Sequence, residues 1–406
     1  MNRVILILHR LRLLDTRASL IRVVAWTAVS VVVISQVVAP TGPRYTDRKT
    51  PPDNPISAVR YVAPLNKTDL SGFLPPPHNP KAFTIAWIGG SETKLDSVSV
   101  PGEVSRRIAK VGNRPVLVDS YNLVAPRTFD AYLALRAAIT SKADAIVMTV
   151  NPVWFTPQWS AHDWPNLDVS DPLAFAHQVS TAPWLVSSVP PSDFSWAALR
   201  ATLPLLRQQT PINVKLGDAI DNVGVLGKPA TPLPAPLPPK PFRPFETDFW
   251  LSQYLGGAPV DQDTPQQSIG RLAVLLQGMN GIDDRALGER YVKLLLSEAA
   301  SSGRPTYVYS NPLSFAGLAD PTLGPLATHY EQRLAALAAE TKSPNMVVQS
   351  QSVTRDMTPD PNLFVDVAHM STAGPLADTL TPKLCDALVH INPALACTTS
   401  PVAVGS

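Results

Sequence analysis

Cysteine and charge are both scarce in this chain. Its 406 residues hold two cysteines, Cys385 and Cys397, and with no neighbouring histidine pair these fall short of the ligand count of a metal site. Charged residues make up 16% and the formal net charge is +2; no basic stripe is concentrated on any expected element, which argues against a nucleic-acid binder. Proline is abundant instead. There are 43 prolines, roughly twice the usual share, so long irregular connections are expected between the regular elements. The 45% of hydrophobic residues supplies enough apolar mass for a core.

The first forty residues stand apart from the rest. Arg3, Arg10, Arg12, Arg17 and Arg22 precede residues 23–39, an apolar run of Val, Ala, Ile and Trp broken only by Thr27, Ser30, Ser35 and Gln36. That run is long enough to cross a bilayer once, and the arginines (residues 1–22) hold its amino end in the cytoplasm. The expectation is a single-pass signal anchor in the cell membrane with the remaining chain outside. A cleaved signal peptide is the competing reading, against which Pro40 directly after Val38-Ala39 makes a poor cleavage site. An amphipathic surface helix is less favoured, since the run has no polar face. Residues 40–80 are polar and proline-rich and read as a semi-rigid tether.

From residue 81 to 398 the pattern is an α/β domain. Strands are expected at 83–88, 115–119, 144–150, 305–310 and 345–349, and a short extended piece at 363–365. Helices are expected at 101–111, 128–140, 194–206, 267–279, 284–301, 326–341 and 373–391. The β-α-β rhythm gives a three-layer α/β/α sandwich with about five parallel strands. It is interrupted at about 155–262 by an insertion that carries the proline-loaded tract 228–244. In an exported chain, Cys385 and Cys397 are most simply one disulfide pinning the tail to the last helix, the alternative being two free thiols.

Three short motifs carry chemistry. Residues 83–93, F-T-I-A-W-I-G-G-S-E-T, run from a buried-looking strand into Gly89-Gly90 and then Ser91, at the carboxyl end where open α/β sheets place their sites. A serine needs a base to take its proton, and the base needs a group to orient it. Of the seven histidines, only His369 has a carboxylate, Asp366, three positions before it. Asn151, just after the third strand, is placed to donate to a developing oxyanion, although Asn before Pro is also a common turn. Trp154, Trp159 and Trp164 follow, with Phe155 between; their rings either stack on sugars or pack the loop against the sheet.

The order of these motifs resembles the SGNH hydrolase superfamily. The resemblance is carried by G-G-S-E at 89–92, V-N-P-V-W at 150–154 and D-V-A-H at 366–369. It is greatest for the membrane-anchored branch that includes the D-alanyl transfer protein of teichoic-acid D-alanylation, and looser for alginate O-acetyltransferase-like proteins. It implies a flavodoxin-like fold, Ser91 as nucleophile, His369 as base, Asp366 as its orienter and Asn151 as oxyanion donor, with no metal or organic cofactor. Two departures stand out: Gly-Gly-Ser replaces Gly-Asp-Ser, and the second block lacks its glycine, leaving Asn122 as the substitute donor.

The expectation is therefore a serine-dependent acyltransferase or acyl esterase working on a cell-envelope glycan, polymer or lipid. Tethering to the membrane favours transfer, and the resemblance implies a multi-spanning membrane-bound O-acyltransferase as partner. A non-catalytic envelope scaffold on the same fold is the alternative, supported by the two departures.

Overall fold

The structure is a computed structural model that describes residues 58–61, 76, 78–90, 94–95, 98–122, 128–156, 167–168, 172–189, 191–202, 265–278, 287–364 and 366–399. Ser91, Trp159, Trp164, the expected anchor at 23–39 and the tract at 228–244 lie outside the described residues. Among the described residues no helix is long and apolar enough to cross a membrane.

In chain order the strands are β1 (Ala58–Tyr61), β2 (Phe83–Gly89), β3 (Lys94–Leu95), β4 (Val98–Ser99), β5 (Ile108–Val111), β6 (Arg114–Asn122), β7 (Ala145–Val150), β8 (Thr306–Ser310), β9 (Met346–Ser352) and β10 (Cys397–Thr399). The helices are α1 (Val100–Arg107), α2 (Thr128–Thr140), α3 (Pro172–Thr181), α4 (Pro183–Ser188), α5 (Pro191–Thr202), α6 (Pro265–Gln277), α7 (Leu287–Ser301), α8 (Phe315–Ala319), α9 (Leu323–Thr341) and α10 (Gly374–Ile391).

Two compact units result, and α3, α4 and α5 belong to the smaller. Each of these helices opens on proline, whose fixed φ and missing N–H suit a first helical turn. Phe175 of α3 and Phe194 of α5 meet with ring centroids 5.4 Å apart. Only α5 was expected from the sequence.

The larger unit is built on one sheet. Seven strands follow the path β10-β5-β6-β2-β7-β8-β9, and β1 adds beside β6. The run β6-β2-β7-β8-β9 is parallel throughout. Taken by chain position its order is 2-1-3-4-5, the doubly wound arrangement. From β2 the chain crosses one way to β6, then back past β2 to β7 and onward to β8 and β9. Right-handed crossovers in opposite directions put α1 on one face and α2, α7 and α9 on the other.

Packing agrees with this topology. Ile85, Trp87, Val118, Val147 and Tyr309 share a core with Val104 of α1 and Leu380 and Leu384 of α10. The alternate residues Ala86, Ile88, Ile146, Met148 and Val308 are equally buried, as a sheet covered on both faces requires. On that second side Phe129 of α2 meets Tyr291 of α7 edge-on, with centroids 6.2 Å apart.

The strand count corrects the expectation of about five. Ala58–Tyr61, inside the stretch read as a tether, pairs in parallel with β6 and buries Val59. The helix expected over 101–111 ends at Arg107, and Ile108–Val111 is a strand. There the turn Gly112-Asn113, with Gly112 at φ +58°, folds β5 back antiparallel onto β6. Such a φ costs glycine nothing. The chain's tail then supplies β10, antiparallel to β5. The expected disulfide is present: Cys385 in α10 is bonded to Cys397 in β10, with Cα atoms 5.3 Å apart. The piece expected at 363–365 is reduced to a single bridge from Phe364 to Met370.

Candidate active site

In a doubly wound sheet the crevice opens at the carboxyl ends of the strands, where the order reverses. Here that point lies between β2 and β7. Gly89 closes β2 opposite Asn122 of β6, and Gly90 follows, still buried. The next residue is Ser91.

On the other side of the switch point, β7 ends at Val150. The Val150 carbonyl accepts the Tyr330 hydroxyl at 2.7 Å and the Asn311 N–H at 3.0 Å, so the strand end is fixed from two elements. Asn151 then starts a 3-10 turn, Pro152–Phe155, with its Oδ1 accepting the Val153 N–H at 3.0 Å. This cap settles which end of the amide is which. Its Nδ2 keeps two N–H groups and has no partner among the described residues, the requirement for an oxyanion donor.

Trp154 does not offer a stacking face. It is 2% exposed, so its indole packs the turn down, the second of the two fates the sequence left open for it.

The acid-histidine pair is fully formed. Asp366 Oδ2 lies 2.6 Å from His369 Nδ1, while Oδ1 accepts the N–H groups of Ala368 and His369, each at 2.7 Å. Burial alone would raise the Asp366 carboxyl. The His369 charge, the imidazole hydrogen bond and the two backbone N–H groups outweigh it and hold the group below its ordinary value. An ionised carboxylate only accepts, so Nδ1 carries the proton and Nε2 is the acceptor nitrogen of the neutral ring.

The loop that carries the pair is clamped to the same sheet edge. Val367 donates its N–H to Ser268 Oγ of α6 at 3.2 Å, and its carbonyl accepts the Ser314 N–H at 2.8 Å, just beyond β8. Asn151 and the Asp366–His369 pair thus share the carboxyl edge on which β2 ends.

No family model and no curated protein matches the chain.

One residue at this edge was not singled out from the sequence. Asn311 follows β8 directly and is 1% exposed, with neither Nδ2 nor Oδ1 hydrogen-bonded among the described residues. A signal for it was present: Ser310-Asn311-Pro312 repeats the strand-Asn-Pro pattern of Val150-Asn151-Pro152.

Proposed function

We propose that this chain is an extracytoplasmic acyltransferase or acyl esterase of the SGNH hydrolase type, anchored in the membrane by residues 23–39. It transfers an acyl group through Ser91 to a cell-envelope glycan, polymer or lipid. The observation that carries the reading is the 2.6 Å Asp366–His369 pair on the carboxyl edge of a 2-1-3-4-5 sheet, the edge at which β2 delivers the chain to Ser91.

The chemistry follows from the roles. His369 Nε2 takes the hydroxyl proton as Ser91 Oγ attacks the acyl carbonyl, and Asp366 stabilises the imidazolium that results. Negative charge develops on the carbonyl oxygen, which Asn151 Nδ2 and the Ser91 backbone N–H receive. The leaving group departs with the proton from His369. In the second half an acceptor hydroxyl, or water, gives its proton to His369 and attacks the acyl-serine, and Ser91 Oγ leaves reprotonated. A membrane-bound O-acyltransferase partner fits this scheme as the source of acyl groups, and the anchor as the means of holding the two together.

The test is reaction of the purified full chain with a fluorophosphonate probe, comparing wild type with Ser91→Ala and His369→Ala. Labelling of the wild type that both substitutions abolish is expected. A folded wild type that takes no label would overturn the reading in favour of a scaffold.

A further inference from the structure

The smaller unit is built inside out. Helices α3 and α5 hold 10 and 12 residues, and each buries one: Gln178 in α3 and Ala201 in α5. Gln178 is kept inside by a polar task, its Oε1 accepting the Asp168 N–H at 2.6 Å. The large apolar side chains lie outside. Leu173 is 82% exposed and Trp196 49%, and Val186 and Leu199 are exposed as well. Of the six large hydrophobic side chains exposed among the described residues, four are thus on α3, α4 and α5. A surface of this kind marks a place that something apolar covers.

The composition of the helices bears on what the cover is. Residues 172–202 carry two full charges, Asp193 and Arg200, and every other polar position is a serine, a threonine, His177 or Gln178. Nothing in them selects a partner by charge, and a tryptophan among small apolar residues suits a membrane interface.

Chain length supplies the second argument. Because β1 is paired to β6, the sheet begins at Ala58, and residues 40–57 alone separate it from the expected anchor at 23–39. Even fully extended, that stretch reaches at most about 65 Å. A domain of about 300 residues is itself about 50 Å across, so the anchored domain is never more than about its own width from the bilayer.

We propose that α3, α4 and α5 form a membrane-seating surface, with Leu173, Val186, Trp196 and Leu199 entering the boundary between headgroups and acyl chains; this rests on the anchored reading. The longest of the three helices has 12 residues, about 18 Å against a hydrocarbon core of about 30 Å. They therefore lie in the interface and do not span it. With almost no charge on the surface, seating follows apolar area, and neither salt nor headgroup charge alters it.

The experiment uses the full chain reconstituted in phosphatidylcholine vesicles. The two native cysteines are bonded to each other, so an introduced cysteine is the one thiol to label. An NBD fluorophore is placed on Leu199→Cys or, to report the anchor, on Ser30→Cys, and quenching by nitroxide-bearing lipid is read. The label at 199 is expected to lose about two-thirds of its emission to a nitroxide near the headgroup, equally in low and high salt. Adding Trp196→Asp is expected to return that label to water without moving the thermal midpoint, since position 196 is half exposed. A label at 199 left bright while that at 30 is quenched would overturn the inference, keep the anchor and turn the surface toward a protein partner. Quenching at 199 that Trp196→Asp does not change, or that high salt removes, would overturn it too. Both labels left bright would overturn the inference and the anchor together, whereas quenching at 199 beside a bright label at 30 would overturn the anchor alone.

Discussion

Replacing Asp366 by asparagine separates the two tasks of its carboxylate. Oδ1 holds two backbone N–H groups and Oδ2 holds the imidazole. An asparagine in the same rotamer keeps the first set with its carbonyl oxygen and turns an NH₂ toward His369. The local turn survives, and the loss is one charge-assisted hydrogen bond at a site 5% exposed, partly offset by the new N–H to Nδ1 contact. Stability should fall by about 1–2 kcal/mol. The effect on chemistry is larger, because a donor facing Nδ1 forces that nitrogen to accept and moves the ring proton to Nε2. A protonated Nε2 cannot take the serine proton, and this tautomer error costs about ten-thousandfold in rate, roughly 5.5 kcal/mol. The fluorophosphonate labelling rate of Asp366→Asn near neutral pH, read beside its urea unfolding curve, tests both numbers. A variant that is folded and labelled within about threefold of wild type would refute the assignment of Asp366 as orienter of the base.

The remaining predictions concern stability. Removing the disulfide by Cys385→Ala with Cys397→Ala frees β10 from α10 and should cost about 3 kcal/mol, visible as a lower urea midpoint. Tyr330→Phe deletes the hydroxyl on Val150 but leaves the Asn311 N–H there; a loss of about 1 kcal/mol is expected, measured by thermal unfolding. Because Asp366 sits below its ordinary 3.8 when folded, the unfolded chain binds more protons between the two values. Its contribution is complete above 3.8 and disappears as the pH falls through the folded value. Acid unfolding of the wild type should therefore steepen below about pH 4 relative to Asp366→Asn.

What could be read from the sequence depended on whether local pattern or distant pairing decides a segment. Residues 83–89 are apolar but for Thr84 and every one of them is buried in β2; α2 has the bounds its apolar spacing implies. By contrast Ile-Ala-Lys-Val at 108–111 continues the helical spacing of α1. It becomes a strand only because β6 and the tail, almost three hundred residues on, bond to its two sides. β1 is too short to be told from its proline-rich surroundings and owes its form to β6. The Asp-x-x-His spacing was visible, but nothing local said that Ser268 and Ser314 would hold it to the sheet edge. Asn311 shows the limit best: its Asn-Pro reads as a turn, and only the approach of Ser352, whose Oγ accepts the Leu313 N–H, makes its side chain different from that of Asn151.

On the proposed function, the order of the strands also decides when the site can be complete. Gly89 ends the first strand of the 2-1-3-4-5 set and Gly90 follows it, whereas Asp366 and His369 come after the last of those strands, ahead of α10 and the disulfide-tied tail. A ribosome that has delivered β2, β6 and β7 has made the switch point and Asn151 but no base. Any product truncated before residue 366, and any chain whose carboxyl end has been clipped past that point, carries the serine without the means to activate it. If Ser91 and His369 act as proposed, the topology works as a completeness check, keeping an incompletely made chain from becoming a reactive one.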